Sequence, residues 1–171
     1  GGHIIFAFSL LLIHRSWEHA ADYFKEYGEL WSFVTASPVV LSRFLVVAVS
    51  EEIMYRVGLQ YVLLGLLVPI AGNIWGSVAS ISITAVLFAI VHDHFFRNSL
   101  AISAEFLVFS FLLGLLYYFT QSLMLVIVVH AVRDIEVAYL EYLLKMDELG
   151  DSEKALDAIE QQYLIGRPKH A

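Results

Sequence analysis

From Val57 to Val91 the chain runs without a single Asp, Glu, Lys or Arg. A second stretch, Leu100 to Val132, carries one charge, Glu105. Apolar runs of this length cannot cover a water-facing surface; they belong in a bilayer, where a spanning helix needs about 20 mostly apolar residues. The first run is too long for one helix, and Pro69, Gly72 and Asn73 interrupt it. The pattern predicts an all-α, polytopic transmembrane bundle with about four core spanning helices, over 40–68, 74–92, 101–119 and 122–143. Pro38 suits the opening turn of the first. Thr120-Gln121-Ser122 supplies a polar turn before the last, and Gly114 allows close helix approach in the third.

Composition agrees. The 171 residues are 59% hydrophobic and 16% charged, against roughly 45–50% and 25% in a soluble domain. The net charge of −7 argues against a nucleic-acid partner, which would require a basic surface. There is no cysteine, so disulfides, thiolate–zinc sites and a Cys nucleophile are excluded. Residues 15–29 alternate charges with Trp17, Phe24 and Tyr27, as in an N-terminal interfacial helix. Residues 4–13 are too short to span and lack the basic flank of a signal peptide. Residues 144–171 read as a polar helical tail that frays at Arg167-Pro168. One membrane-embedded domain over 1–171 is expected.

Ionisable groups inside a spanning helix cost about 2.5–3.5 kcal/mol each on insertion scales, so they face a cavity or each other. Here they fall at Glu51, Glu52 and Arg56; at His92, Asp93 and His94; at Glu105; and at His130, Arg133 and Asp134. Glu52 and Arg56 stand at i and i+4, where they pair on one helix face. Glu51 is rotated about 100° from Glu52 and lacks such a partner in its own helix. A carboxylate of that kind is a candidate general base; the competing reading puts both glutamates at a water interface. His130 and Asp134 also share one helix face, and His92 closes the second helix. Two histidines, a carboxylate and an aspartate from three helices can meet in one polar cavity, and hydrolysis by an activated water fits them. Gly-x-Ser-x-Gly and His-Glu-x-x-His are both absent. Glu105 reads as a structural hydrogen-bonding residue, and His94, one step past His92, as a bystander.

Glu51-Glu52-x-x-x-Arg56, Phe88-x-x-x-His92 and His130-x-x-x-Asp134, in that order on successive apolar segments, resemble the CPBP family of intramembrane proteases. That family holds the type II CAAX prenyl endopeptidases and Abi-like relatives tied to bacteriocin processing or self-immunity. The similarity covers about residues 45–140 and extends to the text of 83–95 and 111–134. It implies an intramembrane endopeptidase in which Glu51 and His92 activate water. His130 and Asp134 would stabilise the oxyanion, with Glu52 and Arg56 in support. It leaves two options for the water: a zinc ion on His92, His130 and Glu51, or no metal at all. The implied partners are the lipid bilayer and a peptide or prenylated-protein substrate. The implied location is an integral place in the cell membrane, if the source is bacterial or archaeal. The chain departs from the family where Val57 separates the arginine from Gly58, and where Asp134 replaces the usual Asn. A non-catalytic interaction or immunity-type protein of the same fold is the alternative. A proton relay ranks below both, because no internal repeat is visible.

Overall fold

The computed structural model describes residues 30–92 and 99–165, and every regular element among them is helical. In chain order these are α1 (Leu30–Ala36), α2 (Pro38–Glu52), a π-helical segment (Ile53–Gln60), α3 (Tyr61–Val91), α4 (Leu100–Thr120), α5 (Leu123–Leu149) and α6 (Ser152–Ile165). The expected interfacial helix at 15–29, and His94, lie outside the described residues.

Among the described residues two helical stretches are long and apolar enough to cross a membrane, Pro38–Val91 and Leu100–Thr120. A straight helix of the first length would reach about 80 Å at 1.5 Å per residue. The chain instead folds back on itself at Gly72, whose φ of 80° and ψ of 167° leave helical space. Glycine tolerates such a positive φ because it has no Cβ. The arms on either side then run antiparallel. Phe88 meets Tyr55 edge-on at 4.7 Å between ring centroids, and His92 reaches Glu51. Near the turn the arms touch backbone to backbone. A Cβ on Gly76 would lie 2.6 Å from Val68 Cα and 2.7 Å from Leu67 O. Of the three expected breakers, Gly72 makes the turn; Pro69 sits within the last helical turn before it.

The other expected boundaries are close to those observed. Pro38 does open α2 in the first-turn position. Gln121 closes α4 with a left-handed φ of 52°, and Ser122 Oγ caps α5 by accepting from Leu125 N–H. Gly114 brings α4 against the hairpin: a Cβ there would stand 2.8 Å from Ile81 Cγ2. α5 meets the length requirement for a span. Arg133, Asp134 and Glu136 in its middle make it too charged to count among the apolar two.

The tail differs from expectation. Residues 144–149 continue α5, which stops at Gly150 in a left-handed cap with φ 63°. Asp151 then caps α6, its Oδ1 accepting from the N–H groups of Glu153 (3.0 Å) and Lys154 (3.2 Å). The reversal lays α6 along α2 and α5, where Ile159 is fully buried with Phe33, Val40, Phe44 and Tyr139. Gly-Asp-Ser after a helical run was a readable stop-and-restart signal.

Candidate active site

The site forms where the hairpin arms meet α5. Glu51 lies in the last turn of α2, His92 terminates α3 from the facing arm, and His130 and Asp134 project from α5. The two oxygens of Glu51 address different rings. Oε1 lies 3.2 Å from His92 Nε2, and Oε2 lies 3.7 Å from His130 Nε2. Asp134 Oδ2 approaches the same His130 nitrogen at 3.6 Å. The four residues singled out from the sequence therefore converge.

Each ring is oriented by its other nitrogen. His92 Nδ1 lies 2.7 Å from the carbonyl oxygen of Phe88 one turn earlier. A carbonyl only accepts, so this nitrogen carries a proton and donates it. His130 Nδ1 lies 2.7 Å from Glu52 Oε1 and donates in the same way. Both Nε2 atoms are thereby aimed at Glu51. In a neutral ring an Nε2 so placed is an acceptor facing an acceptor, so a mobile proton or a water must be shared with the carboxylate.

Behind this rim lies a sealed polar seam. Glu52 is fully buried and accepts from Arg56 Nε at 2.7 Å as well as from His130. The expected i, i+4 pair is therefore formed. Arg56, also fully buried, continues to Gln60 Oε1 at 3.5 Å and to the Ser110 carbonyl at 3.4 Å. Gln60 Nε2 donates to the Gly114 carbonyl at 3.0 Å. The sequence reading missed Gln60. Its signal was the repeat at i+4, since residues 52, 56 and 60 continue one strip. By contrast, the side chains of Glu51, His92 and Asp134 are 21, 24 and 25% exposed. The rim can meet a substrate and water, and the seam cannot.

Phe88 packs under the site, its ring 4.4 Å from that of His92 and 5.8 Å edge-on from His130. Phe106 of α4 stacks on Phe88 and covers His92. Glu105, read as structural, is bonded to Arg133 of α5.

Zinc needs its donors about 2.0–2.2 Å from one point. Among the described residues no group of three His, Asp or Glu side chains is placed to hold a metal ion. The set offered by the sequence (His92, His130, Glu51) is brought together, with both Nε2 atoms facing the Glu51 carboxylate at 3.2 and 3.7 Å.

The model for the type II CAAX prenyl endopeptidase Rce1-like family matches residues 32–135, more than half of the chain. The matched segment holds the whole site and stops before α6. No curated protein and no solved structure matches the chain. The three motifs, their convergence around Glu51 and the extent of the match lead to one assignment: the chain belongs to the type II CAAX prenyl endopeptidase Rce1-like family, within the CPBP family that its motifs resemble.

Proposed function

We propose that this protein is an intramembrane endopeptidase that hydrolyses a peptide bond of a prenylated or membrane-associated substrate at the bilayer boundary. The observation that carries the reading is the bridging of His92 and His130 by Glu51 from three separate helical arms. Family membership supports protease chemistry. The depth of the site supports its place: Glu51 stands 21 residues before Gly72, about 30 Å of helix, close to the thickness of a hydrocarbon core. In this reading the chain is one membrane-embedded domain that crosses four times, through both hairpin arms, α4 and the first part of α5.

The proposed chemistry uses the chain's own residues. A water beside Glu51 and His92 gives a proton to their shared acceptor pair as its oxygen attacks the scissile carbonyl. The tetrahedral oxyanion forms on the His130 and Asp134 side. His130, with Nδ1–H held by Glu52, donates from Nε2 when that nitrogen also bears a proton. Collapse breaks the C–N bond, and the proton taken from water passes to the leaving amine. One water is consumed, and a carboxylate and an amine are released. General base assistance is worth about 10²–10⁴-fold in rate, and one oxyanion donor about 10²–10³-fold.

The test uses the purified chain in lipid nanodiscs with a farnesylated peptide bearing a C-terminal CAAX motif. Wild type cleaves it. Glu51→Gln and His92→Ala each lose about 10²–10⁴-fold in rate with no fall in melting temperature, and a zinc chelator leaves the wild-type rate unchanged. Undiminished cleavage by both variants sinks the proposal.

A further inference from the structure

We propose that Arg43 is a specificity residue that binds a carboxylate carried by the substrate three or four residues from the scissile bond; the inference rests on the protease reading above and narrows its substrate class. On α2, Arg43, Val47 and Glu51 stand at i, i+4 and i+8, successive positions of one surface row. The neighbouring row, Val40, Phe44, Ala48 and Glu52, is buried in the bundle. The first row therefore runs along the edge of the covered face. Arg43 on it is exposed, Val47 is half-buried and the Glu51 side chain is partly open. The other described cations each meet a carboxylate: Arg56 on Glu52, Arg133 on Glu105, Lys145 on Glu148 and Lys154 on Asp151. No carboxylate among the described residues pairs with Arg43. In a chain of net charge −7, this is a cation held out to the surroundings on the same row as the proposed base.

Helix geometry sets the spacing. The eight residues from Arg43 to Glu51 correspond to about 12 Å of rise. An extended peptide covers about 3.3–3.6 Å per residue, so three or four substrate residues reach from the bond at Glu51 to the level of Arg43. The direction follows from the placement of the site. Arg43 lies on the side of Glu51 away from the Gly72 turn, in the outer half of the molecule and beyond the bilayer boundary. The lipid-anchored part of a substrate stays on the membrane side of the bond that is cut. The part beyond the cut runs outward past Val47. An arginine fork takes a carboxylate through two parallel hydrogen bonds. A short tail ending in a free main-chain carboxylate supplies that group, as does an acidic side chain at the same distance. Arg43 touches no reacting atom, so its contribution falls on KM and leaves kcat alone. An exposed pair of this kind is worth up to about 5-fold in binding.

The experiment uses wild type, Arg43→Gln and Arg43→Lys as full chains in phosphatidylcholine nanodiscs. Farnesylated peptides carry tails of two to six residues after the farnesylated cysteine, each made with a free carboxylate and with a terminal amide. Mass spectrometry of the released fragment fixes the bond that is cut. With three or four residues beyond that bond, wild type shows a KM about 5-fold lower for the acid than for the amide, at equal kcat. The preference fades for shorter and longer tails. Arg43→Gln abolishes it by raising KM for the acid alone, and Arg43→Lys keeps part of it. An amide-ended peptide with Glu as the third tail residue tells the two sources apart: a KM as low as that of the acid assigns the site to a side chain, a KM as high as that of the amide to the main-chain end. Equal KM values for acid and amide in wild type, a preference that ignores tail length, or an Arg43→Gln effect of the same size on every peptide overturns the proposal; the last result assigns Arg43 to lipid phosphate instead. If wild type cleaves no peptide, the protease reading fails. Binding of the same peptides, labelled with fluorescein and followed by anisotropy, then decides the role of Arg43 by the same acid-over-amide criterion.

Discussion

The two halves of this molecule are built inside out relative to each other. In the half that holds the Gly72 turn, the polar groups are inside. Glu52, Arg56, Gln60, Thr84 and Ser110 are fully buried, while Ile70, Ile74, Trp75 and Phe119 are more than 70% exposed. In the outer half, made by α1, the start of α2, the end of α5 and α6, the order is the soluble one. Phe33, Phe44, Tyr139 and Ile159 form its core. The Lys145–Glu148 and Lys154–Asp151 ion pairs lie on its surface. α2 and α5 belong to both halves, and the site lies on them where one pattern gives way to the other. The difference teaches that the same interaction has a different worth in each half. Lipid offers no replacement partner for a broken hydrogen bond, whereas water does.

The largest break in this contrast comes from Gly76. Its position against Val68 is a backbone contact that no side-chain movement can relieve. Gly76→Ala is expected to prise the hairpin arms apart and abolish folded protein, read as loss of a monodisperse species in detergent. A normal yield with an unchanged melting temperature would refute the close approach.

Next comes Glu52→Gln, which leaves Arg56 buried without its carboxylate. Removing one partner of a buried pair costs about 3–5 kcal/mol. The expected result is a lower unfolding midpoint in a denaturant titration, with Glu51→Gln beside it unaffected. Equal effects at the two adjacent glutamates would erase the distinction between seam and rim.

The smallest effect belongs to the outer half. Asp151 also accepts from several donors, but in full contact with water. The backbone N–H of Lys154 first, then the Lys154 side chain and the N–H of Glu153, hold its carboxyl below the ordinary range. A depressed carboxylate stabilises the fold above its unfolded value near 3.8 and loses that contribution as pH falls through its folded value. Asp151→Asn is therefore expected to increase hydrogen exchange at the start of α6 at neutral pH. Variant and wild type should converge on acidification. Exchange that differs by the same amount at every pH would rule out the titration.

What could be read beforehand divides along the same border. The inside-out half announces itself: charges are so rare between Phe44 and Asp134 that the ionisable groups there stand out as places where helices could meet. That is why Glu51, His92, His130 and Asp134 could be picked out before their convergence was known. The hairpin break and the polar turn at 120–122 were legible from their Gly, Pro and Ser residues. The π-helical segment was not, because a register shift of the backbone leaves no residue pattern of its own. The docking of α6 was also missed. In a polar stretch a helix that buries Ala155 and Ile159 differs little in composition from a solvated tail. The partner of Glu105 depended on how α4 and α5 rotate against each other, which hydropathy does not encode.

The turn at Gly72 also sets an order of assembly. Glu51 and His92 are 41 residues apart, whereas His130 is 78 residues from Glu52. During synthesis both arms of the hairpin are therefore complete well before α5 emerges. Glu52 enters the membrane with Arg56 one turn behind it, so this carboxylate has its counter-ion from the outset. Glu51 finds His92 as soon as the arms close. One wall of the site is then already standing, and the arrival of α5 adds His130 and Asp134 to a template rather than searching for one. A nascent chain that stops after α3 would carry half a site and no oxyanion side, inert until its last long helix is in place.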